Sequence, residues 1–376
     1  MSNTFCALPF VHSCVRVDGT MSPCCRFDDS AYLIDGMNPR EYFDSRHLED
    51  IRKKMIAGEK LKGCAKCYQE EELGKKSMRQ HANNEYKKFA GTIYPNREVK
   101  FIEVSFDNLC NMACVSCTPI ESSKWGEYLE ELNYDNKLGS RYKQSPVSII
   151  DIDYTDNDYT TTDKIKLLGG EPFLNVKNIE FLEKFQLEKL HFMMHTNCSL
   201  VPNKKWNELL EKIKLLQITL SIDGIGEVAE FSRYGVEWNQ VDRVLDWFIK
   251  FKEKKKYQDI KKGKGVYLSV HSVIHIFNIF DLNNFKNYLI NKQLRYNFDV
   301  LSNPHHLDIK ILPKQIKEQL IDTIDYAYIR NYLIKNIDYV DNDSLDRFFI
   351  YAERLQKRQH FNFVDTIVEE IKKCNG

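Results

Sequence analysis

Three closely spaced cysteines constrain this chain more than any other feature. Cys110, Cys114 and Cys117 follow an apolar run from Phe101 to Phe106 and form a C-x3-C-x2-C pattern. Cysteine thiolates are the usual protein ligands of iron–sulfur clusters. Three of them can bind three irons of a 4Fe–4S cluster, and no fourth cysteine follows nearby. The fourth iron is then open to a ligand that is not protein, and we expect the rest of the chain to build a site around it.

Composition excludes several classes of protein. The chain has 376 residues with 54 Lys+Arg and 54 Asp+Glu, so it lacks the basic excess of proteins that bind nucleic acid through phosphates. It has no apolar run long enough for a transmembrane helix, and its first residues lack a signal-peptide pattern. We therefore expect a cytoplasmic protein without a membrane partner. In a reducing compartment its 11 cysteines are expected to bind metal rather than form disulfides.

Most of the cysteines lie in the first third of the chain. Besides the triad, this region contains Cys6, Cys14, Cys24, Cys25, Cys64 and Cys67. Two metal centres account for this distribution most economically, one at the triad and one in the N-terminal segment. For the second centre a structural zinc ribbon is an alternative, because zinc also takes four thiolates.

After residue 99, short apolar segments alternate with segments of helical periodicity. The predicted strands are Lys100–Phe106, Lys164–Leu168, Lys189–Met194, Leu216–Ser221, Val266–Val273 and Asn297–Leu301. The predicted helices cover 119–133, 176–186, 202–214, 239–255 and 281–292. Strands separated by helices indicate parallel βαβ units. The sequence therefore predicts an α/β fold, a partial (β/α)6 TIM-type barrel, with its chemistry at the carboxyl ends of the strands.

Glycine and polar residues follow the predicted strands at that end. The triad follows the first strand, and Gly169-Gly170-Glu171-Pro172 follows the second. The third strand continues into His195-Thr196-Asn197, and the fourth ends in Ser221-Ile222-Asp223-Gly224. All four segments are expected on one face of the barrel.

These motifs resemble those of radical S-adenosylmethionine (radical SAM) enzymes, over roughly residues 99–305. The C-x3-C-x2-C pattern matches the cluster loop of that family, and residues 169–172 match its GGE-type motif, which holds the methionine amino group. Arg233 resembles the Arg that pairs with the SAM carboxylate, a task that suits a planar guanidinium. Ser116 stands where the family often has an aromatic residue, so that main-chain contact with adenine is kept and ring stacking is lost. The resemblance implies SAM-binding roles for Gly169, Gly170, Glu171, Pro172, Ser116, Asn197, Ser221, Asp223 and Arg233.

The N-terminal cysteines resemble the twitch or SPASM type of auxiliary-cluster module. Cys6 and Cys24 flank an Asp18-Gly19 pair, which is a strong β-hairpin signal. The resemblance implies a second 4Fe–4S cluster with the ligands Cys6, Cys24, Cys64 and Cys67, and with Cys25 or Cys14 as alternates. In the better-known members this module follows the barrel, whereas here it precedes it.

The resemblance also implies a domain order and an activity. The auxiliary module is expected over 1–90, the radical SAM core over 91–305 and a helical extension over 306–376, with a linking helix at Tyr68–Tyr86. SAM would be cleaved reductively at the triad cluster to a 5′-deoxyadenosyl radical, which abstracts a hydrogen atom from a peptide or small-molecule substrate. A one-electron donor such as flavodoxin or ferredoxin is the implied partner.

Two alternative functions fit the same sequence. One is a radical SAM enzyme that modifies a nucleotide, a nucleic acid or a sugar. The other is a non-catalytic binding protein stabilised by zinc or an iron–sulfur cluster. Candidate reacting side chains at the strand ends are Cys198, His195 and Asp223. The acidic insertion 131–163 is a candidate lid or substrate contact.

Overall fold

An eight-stranded sheet forms the centre of the protein. The computed structural model describes residues 3–29, 38–87, 98–128, 161–255 and 263–375. The sheet order is β10-β9-β7-β6-β5-β3-β1-β2, and β4 pairs with β8 in a separate two-stranded sheet. The strands are β1 (His12–Val15), β2 (Met21–Ser22), β3 (Phe101–Ser105), β4 (Ala113–Cys114), β5 (Lys164–Leu168), β6 (His191–Thr196), β7 (Leu215–Ser221), β8 (Arg233–Tyr234), β9 (Gly265–Ile274) and β10 (Arg295–Val300).

The six predicted barrel strands are β3, β5, β6, β7, β9 and β10, and all of them pair in parallel. Helices connect most of them, as a parallel sheet requires. The helices are α1 (Leu8–Val11), α2 (Pro39–Phe43), α3 (Arg46–Ala57), α4 (Ala65–Glu72), α5 (Met78–Glu85), α6 (Val176–Leu182), α7 (Lys204–Lys212), α8 (Gly226–Ser232), α9 (Trp238–Lys254), α10 (Leu282–Asn291), α11 (Lys314–Thr323), α12 (Ala327–Lys335), α13 (Asn342–Arg358) and α14 (Asn362–Asn375). The predicted partial-barrel α/β fold is confirmed.

Both faces of the central strands are buried, which explains why these strands are mostly apolar. In β3, Ile102 and Val104 are fully buried among apolar side chains, while Glu103 between them is also fully buried. Successive side chains of a strand point to opposite faces. One face therefore packs against the core, and the other places charged groups inside the barrel.

The N-terminal hairpin joins the barrel sheet directly. β1 pairs antiparallel with β2 and parallel with β3. The predicted turn is present, with Gly19 at φ 83° and the Thr20 amide donating to Asp18 Oδ1 at 3.0 Å. Glycine takes positive φ without steric cost. The N-terminal segment is thus attached to the core by continuous backbone pairing.

Two sequence-based helix predictions are wrong in detail. The linking helix expected over Tyr68–Tyr86 is two helices, α4 and α5, separated by Gly74 at φ 80°. Ser77 begins α5 with a capping box, which is a strong start signal. In the segment 119–133, the described part contains a 3-10 helix, Ser123–Tyr128, rather than an α-helix.

Helices α11 to α14 confirm the predicted helical tail. The tail packs behind the triad loop, the loop that carries Cys110, Cys114 and Cys117. Tyr351 on α13 donates its hydroxyl to the Val115 carbonyl at 3.3 Å. The Arg358 guanidinium lies 4.4 Å from the centroid of the Trp125 ring. Most of the insertion 131–163 lies outside the described residues. Within the part of the chain that the structure describes, none of the helices is both long and apolar enough to span a bilayer.

Candidate active site at the cysteine triad

A cavity of about 610 Å³ lies at the carboxyl ends of the barrel strands. Ten of the residues predicted as triad ligands, SAM-binding residues or reacting side chains line it: Cys110, Cys114, Ser116, Cys117, Gly169, Gly170, His195, Asn197, Ser221 and Arg233. Four others, Glu171, Pro172, Cys198 and Asp223, are not among the lining residues. The structure therefore brings most of the predicted site together, and places the remainder behind its walls.

Hydrogen bonds to its backbone fix the triad loop. The Cys110 amide donates to Ser123 Oγ at 3.1 Å, and the Trp125 indole donates to the Cys114 carbonyl at 3.1 Å. Burial raises the pKa of the Cys110 thiol to about 11. The pKa of Cys114 is lowered, first because Cys117 donates a hydrogen bond to it. The surrounding protein therefore holds the loop through its backbone.

Arg233 provides the positive charge of the site. It lies on β8, whose backbone pairs with β4 so that Arg233 faces Cys114. Its Nη1 is 3.7 Å from Cys114 Sγ, and its Nη2 is 2.9 Å from Asp223 Oδ2. The charge of Asp223 raises the pKa of Arg233 against the opposing effect of burial. Asp223 therefore faces the guanidinium rather than the cavity, and its predicted contact with ribose or substrate stays a prediction.

The two glycines of the GGE motif allow the loop after β5 to pack on the triad loop. A side chain at Gly170 would collide with the backbone oxygens of Leu109 and Asn108, the latter at 2.6 Å. Gly169, at φ 125°, would place a side chain 2.6 Å from the Asp107 oxygen. Contacts this short are not tolerated by real side chains. The glycines are thus required for close approach, whatever ligand their backbone also meets.

Glu171 holds the loop after β6. Its carboxylate accepts hydrogen bonds from the Asn197 amide at 2.7 Å and from the Thr196 hydroxyl at 2.9 Å. Burial raises its pKa to about 7. Its predicted role at the SAM amino group stays a prediction, because in this structure its oxygens face protein donors.

Burial favours the neutral form of two histidines on the cavity wall. The rings of His195 and His271 are 6.2 Å apart. Burial and the nearby Lys166 charge lower the pKa of His195 to about 3, and burial lowers that of His271 well below its usual value. His271 Nε2 lies 3.0 Å from Asp299 Oδ2. Neutral imidazoles offer hydrogen bonds to a ligand without adding charge.

Sequence reasoning missed a buried charge network beneath the cavity. Lys166 Nζ is 2.6 Å from Glu103 Oε1, and His12 Nε2 is 3.3 Å from Glu103 Oε2. The Lys166 charge lowers the pKa of Glu103 despite its complete burial. The sequence did contain a signal for this network. Glu103 lies in the middle of an apolar strand, and a buried carboxylate there needs a partner.

The N-terminal cysteines separate into two groups. Cys6, Cys24, Cys64 and Cys67 line one small enclosed cavity together with Arg26 and Arg79. Cys14 and Cys25 instead line the large cavity that contains the triad. The first group is the set predicted as auxiliary ligands, and the second group contains the two alternates.

The described residues do not form a ready-made site for one metal ion at either thiol set. Among the residues described by the structure, no three His, Cys, Asp or Glu side chains are grouped closely enough to hold one metal ion. A structural zinc site needs four ligands at about 2.0–2.3 Å from one point. In an iron–sulfur cluster each thiolate binds its own iron, so its ligand sulfurs stand further apart.

Cys198 does not reach the site. It is fully buried, has φ 60°, and its thiol lies 3.8 Å from the Val241 carbonyl. Its side chain is not among those that line the cavity. A role as a reacting thiol, which its position in the sequence suggested, has no support in this geometry.

Comparison with solved structures gives several likenesses at low identity. The chain is similar to anSMEcpe with bound AdoMet, at 16% identity and a TM-score of 0.37, over 59% of this chain and 57% of that one. It is similar to Streptococcus suis SuiB bound to S-adenosylmethionine, at 16% identity and a TM-score of 0.36, over 77% of this chain and 60% of that one. It is also similar to TYW1 with a lysine-pyruvate adduct, at 15% identity and a TM-score of 0.35, over 73% and 80%.

The chain thus spans about three fifths of the first two of these proteins. No protein-family model and no curated protein matches it. The first of these structures contains AdoMet, and the second contains S-adenosylmethionine.

Proposed function

We propose that this protein is a radical SAM enzyme with its SAM site in the large cavity. The observation that carries the proposal is the convergence of three thiols, two glycines and one guanidinium on a single cavity at the barrel strand ends. When bound, a 4Fe–4S cluster on Cys110, Cys114 and Cys117 would supply one electron to cleave SAM and yield a 5′-deoxyadenosyl radical, which takes a hydrogen atom from the substrate.

The other residues of the cavity would bind and orient SAM. Gly169 and Gly170 present backbone to the cavity because they carry no side chain there. Arg233, held by Asp223, places a positive charge where the SAM carboxylate would lie. Ser221, Asn197 and Ser116 offer polar contacts for the ribose and adenine. Walls of this kind keep the reacting atoms close and exclude water.

A second 4Fe–4S cluster is proposed on Cys6, Cys24, Cys64 and Cys67. These four thiols share one enclosed cavity, and burial raises the pKa of Cys6 and Cys64 to about 12. Thiols whose pKa is raised in this way need metal coordination to become thiolates. The proposed organisation is therefore an auxiliary segment over 1–90, a core over 91–305 and a helical extension over 306–376.

The proposed substrate is a peptide or a small molecule, and the proposed electron source is a flavodoxin or ferredoxin. A balanced charge of 54 basic and 54 acidic residues favours this class over nucleic acid. The alternative of another class, a non-catalytic binding protein stabilised by zinc or an iron–sulfur cluster, is disfavoured because the glycine pair and the complete cysteine triad line one cavity.

The test is metal analysis combined with SAM cleavage. Anaerobically prepared protein should contain about eight irons and eight sulfides per chain and should release 5′-deoxyadenosine from SAM with a strong reductant. The Cys110→Ala, Cys114→Ala, Cys117→Ala triple variant should retain about four irons and lose cleavage. Stoichiometric zinc without sulfide, or cleavage by the triple variant, would contradict the proposal. Cys374→Ala, in the C-terminal helix, is the matched thiol control.

A further inference from the structure

The N-terminal hairpin brings a guanidinium to the large cavity that the proposed SAM site does not use. Arg16 directly follows β1 and lines the cavity that contains the cysteine triad. Because β1 pairs in parallel with β3, the residues after both strands lie at the same edge of the sheet. Gly169, Asn197 and Ser221, proposed for SAM, lie at the ends of β5, β6 and β7, on the other side of β3. Arg16 therefore borders a part of the cavity that is left for a second substrate.

Hydrogen bonds hold both the backbone and the side chain of Arg16. Its amide donates to the Thr20 carbonyl at 2.8 Å, and its carbonyl accepts from the Gly19 amide at 3.0 Å. Its Nε donates to Ser22 Oγ at 3.2 Å, and its Nη2 donates to the Phe27 carbonyl. All of these partners are neutral, so they fix the guanidinium without neutralising its charge.

Arg16 lacks the carboxylate partner that other arginines of the N-terminal segment have. Arg26 Nη2 lies 2.9 Å from Asp299 Oδ2, and Arg79 Nη2 lies 2.5 Å from Glu71 Oε2. No ion pair of Arg16 occurs among the described residues, although its side chain is partly buried. A charge removed from water without a counter-ion is costly, and a guanidinium matches the geometry of a carboxylate. The unpaired charge therefore indicates an anionic ligand.

The other charged side chains on the cavity wall leave Arg16 as the place for that anion. Asp18 and Glu121 also line the cavity, but a carboxylate repels an anion, and neither of the two forms an ion pair with Arg16 in the described part of the chain. Arg233 is already paired with Asp223 and is assigned to the SAM carboxylate.

An apolar surface lines the same cavity at the ends of β9 and β10. Val273 and Leu301 form it. Arg26, which follows β2, pairs with Asp299 on β10, so the N-terminal segment connects the two edge strands of the sheet, β2 and β10. A ligand between these edges would meet the charge of Arg16 and the apolar surface together.

We propose that the second substrate carries a carboxylate that binds Arg16 and an apolar group that packs against Val273 and Leu301. The inference rests on the proposed function and specifies its substrate class. Small apolar carboxylic acids and peptides with an apolar C-terminal residue share this chemistry.

The test compares the binding of N-acetyl-leucine and N-acetyl-leucinamide, which differ by one negative charge. Saturation-transfer NMR titrations of the oxidised, anaerobic holoprotein with SAM give both dissociation constants. Wild type should bind the acid about tenfold or more tighter than the amide, as a hydrogen bond between charged groups predicts. In Arg16→Gln this difference should disappear, and in Arg16→Lys part of it should remain. Arg243→Gln, at an exposed position on α9, should retain all of it.

The tripeptide acetyl-alanyl-alanyl-leucine and its amide repeat the comparison for a peptide. If the peptide acid binds more tightly than N-acetyl-leucine, the carboxylate belongs to a peptide. If it binds more weakly, the carboxylate belongs to a small acid.

Equal binding of acid and amide by the wild type, or binding of none of these compounds, would overturn the inference alone, and this comparison needs no variant to fold. An undiminished difference in Arg16→Gln would overturn it as well. Absence of 5′-deoxyadenosine when the wild type is reduced with SAM would overturn the proposed function, whatever the binding result.

Discussion

The Arg233 guanidinium lies against the Cys114 thiol, with Nη1 3.7 Å from Sγ. The same two residues are backbone partners in the small β4–β8 sheet. The backbone pairing fixes the main chain of Arg233, and the ion pair with Asp223 fixes its guanidinium. The positive charge is therefore held in one position. A fixed charge next to the triad should tune any cluster that the triad binds.

Arg233→Gln should make the reduction potential of the triad cluster more negative. Removing a positive charge disfavours the electron added on reduction, and at this separation the shift should be on the order of tens of millivolts. An anaerobic redox titration followed by electron paramagnetic resonance measures it. Arg243→Gln removes the same charge from an exposed position on α9 and should leave the potential unchanged. A potential unaltered in Arg233→Gln would show that the guanidinium does not face the cluster.

Lys166→Met should lower the free energy of unfolding by about 3–5 kcal/mol. The change leaves Glu103 fully buried without its closest cation, and an unpaired buried charge is costly. Adding Glu103→Gln should restore most of the loss, because no charge is then left uncompensated. Urea denaturation of the two variants gives the comparison. Lys204→Met, at an exposed pair with Glu208, should change stability by less than about 0.5 kcal/mol.

Glu171 should make the protein less stable as pH rises from about 5 to 7. Its pKa is raised from 4.5 to about 7 in the folded protein, so in that interval the folded state binds more protons than the unfolded state. Stability then falls with rising pH, by up to about 3 kcal/mol in total. Glu171→Gln should remove this component, measured as the difference between the two pH profiles of urea unfolding. Glu208→Gln, at an exposed site on α7, should leave the wild-type profile in place. If the free energy of unfolding varied with pH in the same way in wild type and Glu171→Gln, the titrating group would be a different residue.

Much of the barrel and of the site was predictable because local signals specify it. Short apolar strands between helical segments predict β3, β5, β6, β7, β9 and β10, and the triad and the glycine pair mark two strand ends. The pairing of β1 with β3 was not predictable. A four-residue strand buried on both faces has no alternation to reveal its neighbour.

The directions of individual side chains were also beyond the sequence. Glu171 and Asp223 stand at the expected strand ends, yet Glu171 turns to Asn197 and Asp223 to Arg233. Cys198 stands after β6, yet its side chain is fully buried in the core. Such choices depend on contacts with residues that are distant in sequence. A sequence motif therefore identifies the residue at a strand end, but the direction of its side chain is set by tertiary packing.

The auxiliary ligand set offers a direct test of one such choice. Cys24 and Cys25 are adjacent in the turn that follows β2, and the Phe27 amide closes this turn by donating to the Cys24 carbonyl at 3.1 Å. In this structure Cys24 borders the cavity of Cys6, Cys64 and Cys67, whereas Cys25 borders the triad cavity. Cys24→Ala should therefore lose about four of eight irons, and Cys25→Ala should retain them all. Iron and sulfide analysis of the two variants decides the matter, since the reverse result would make Cys25 the ligand.

Gly170→Ala should disrupt the triad site although it adds only one methyl group. That methyl would meet the Leu109 carbonyl oxygen and lie 2.6 Å from that of Asn108, and the Glu171 amide now donates to the same Leu109 oxygen at 2.7 Å. Backbone atoms cannot rotate aside as the end of a side chain can, so the loop after β5 and the triad loop must separate.

The expected outcome is a loss of about four irons from the reconstituted protein and of SAM cleavage, with the N-terminal cluster retained. Gly126→Ala is the matched control, because a methyl group there has nothing within 4 Å, and it lies in the 3-10 helix just after the triad loop. Full iron content and cleavage in Gly170→Ala would mean that the two loops need not approach this closely. The glycine pair would then be required by the ligand alone and not by the packing of the two loops.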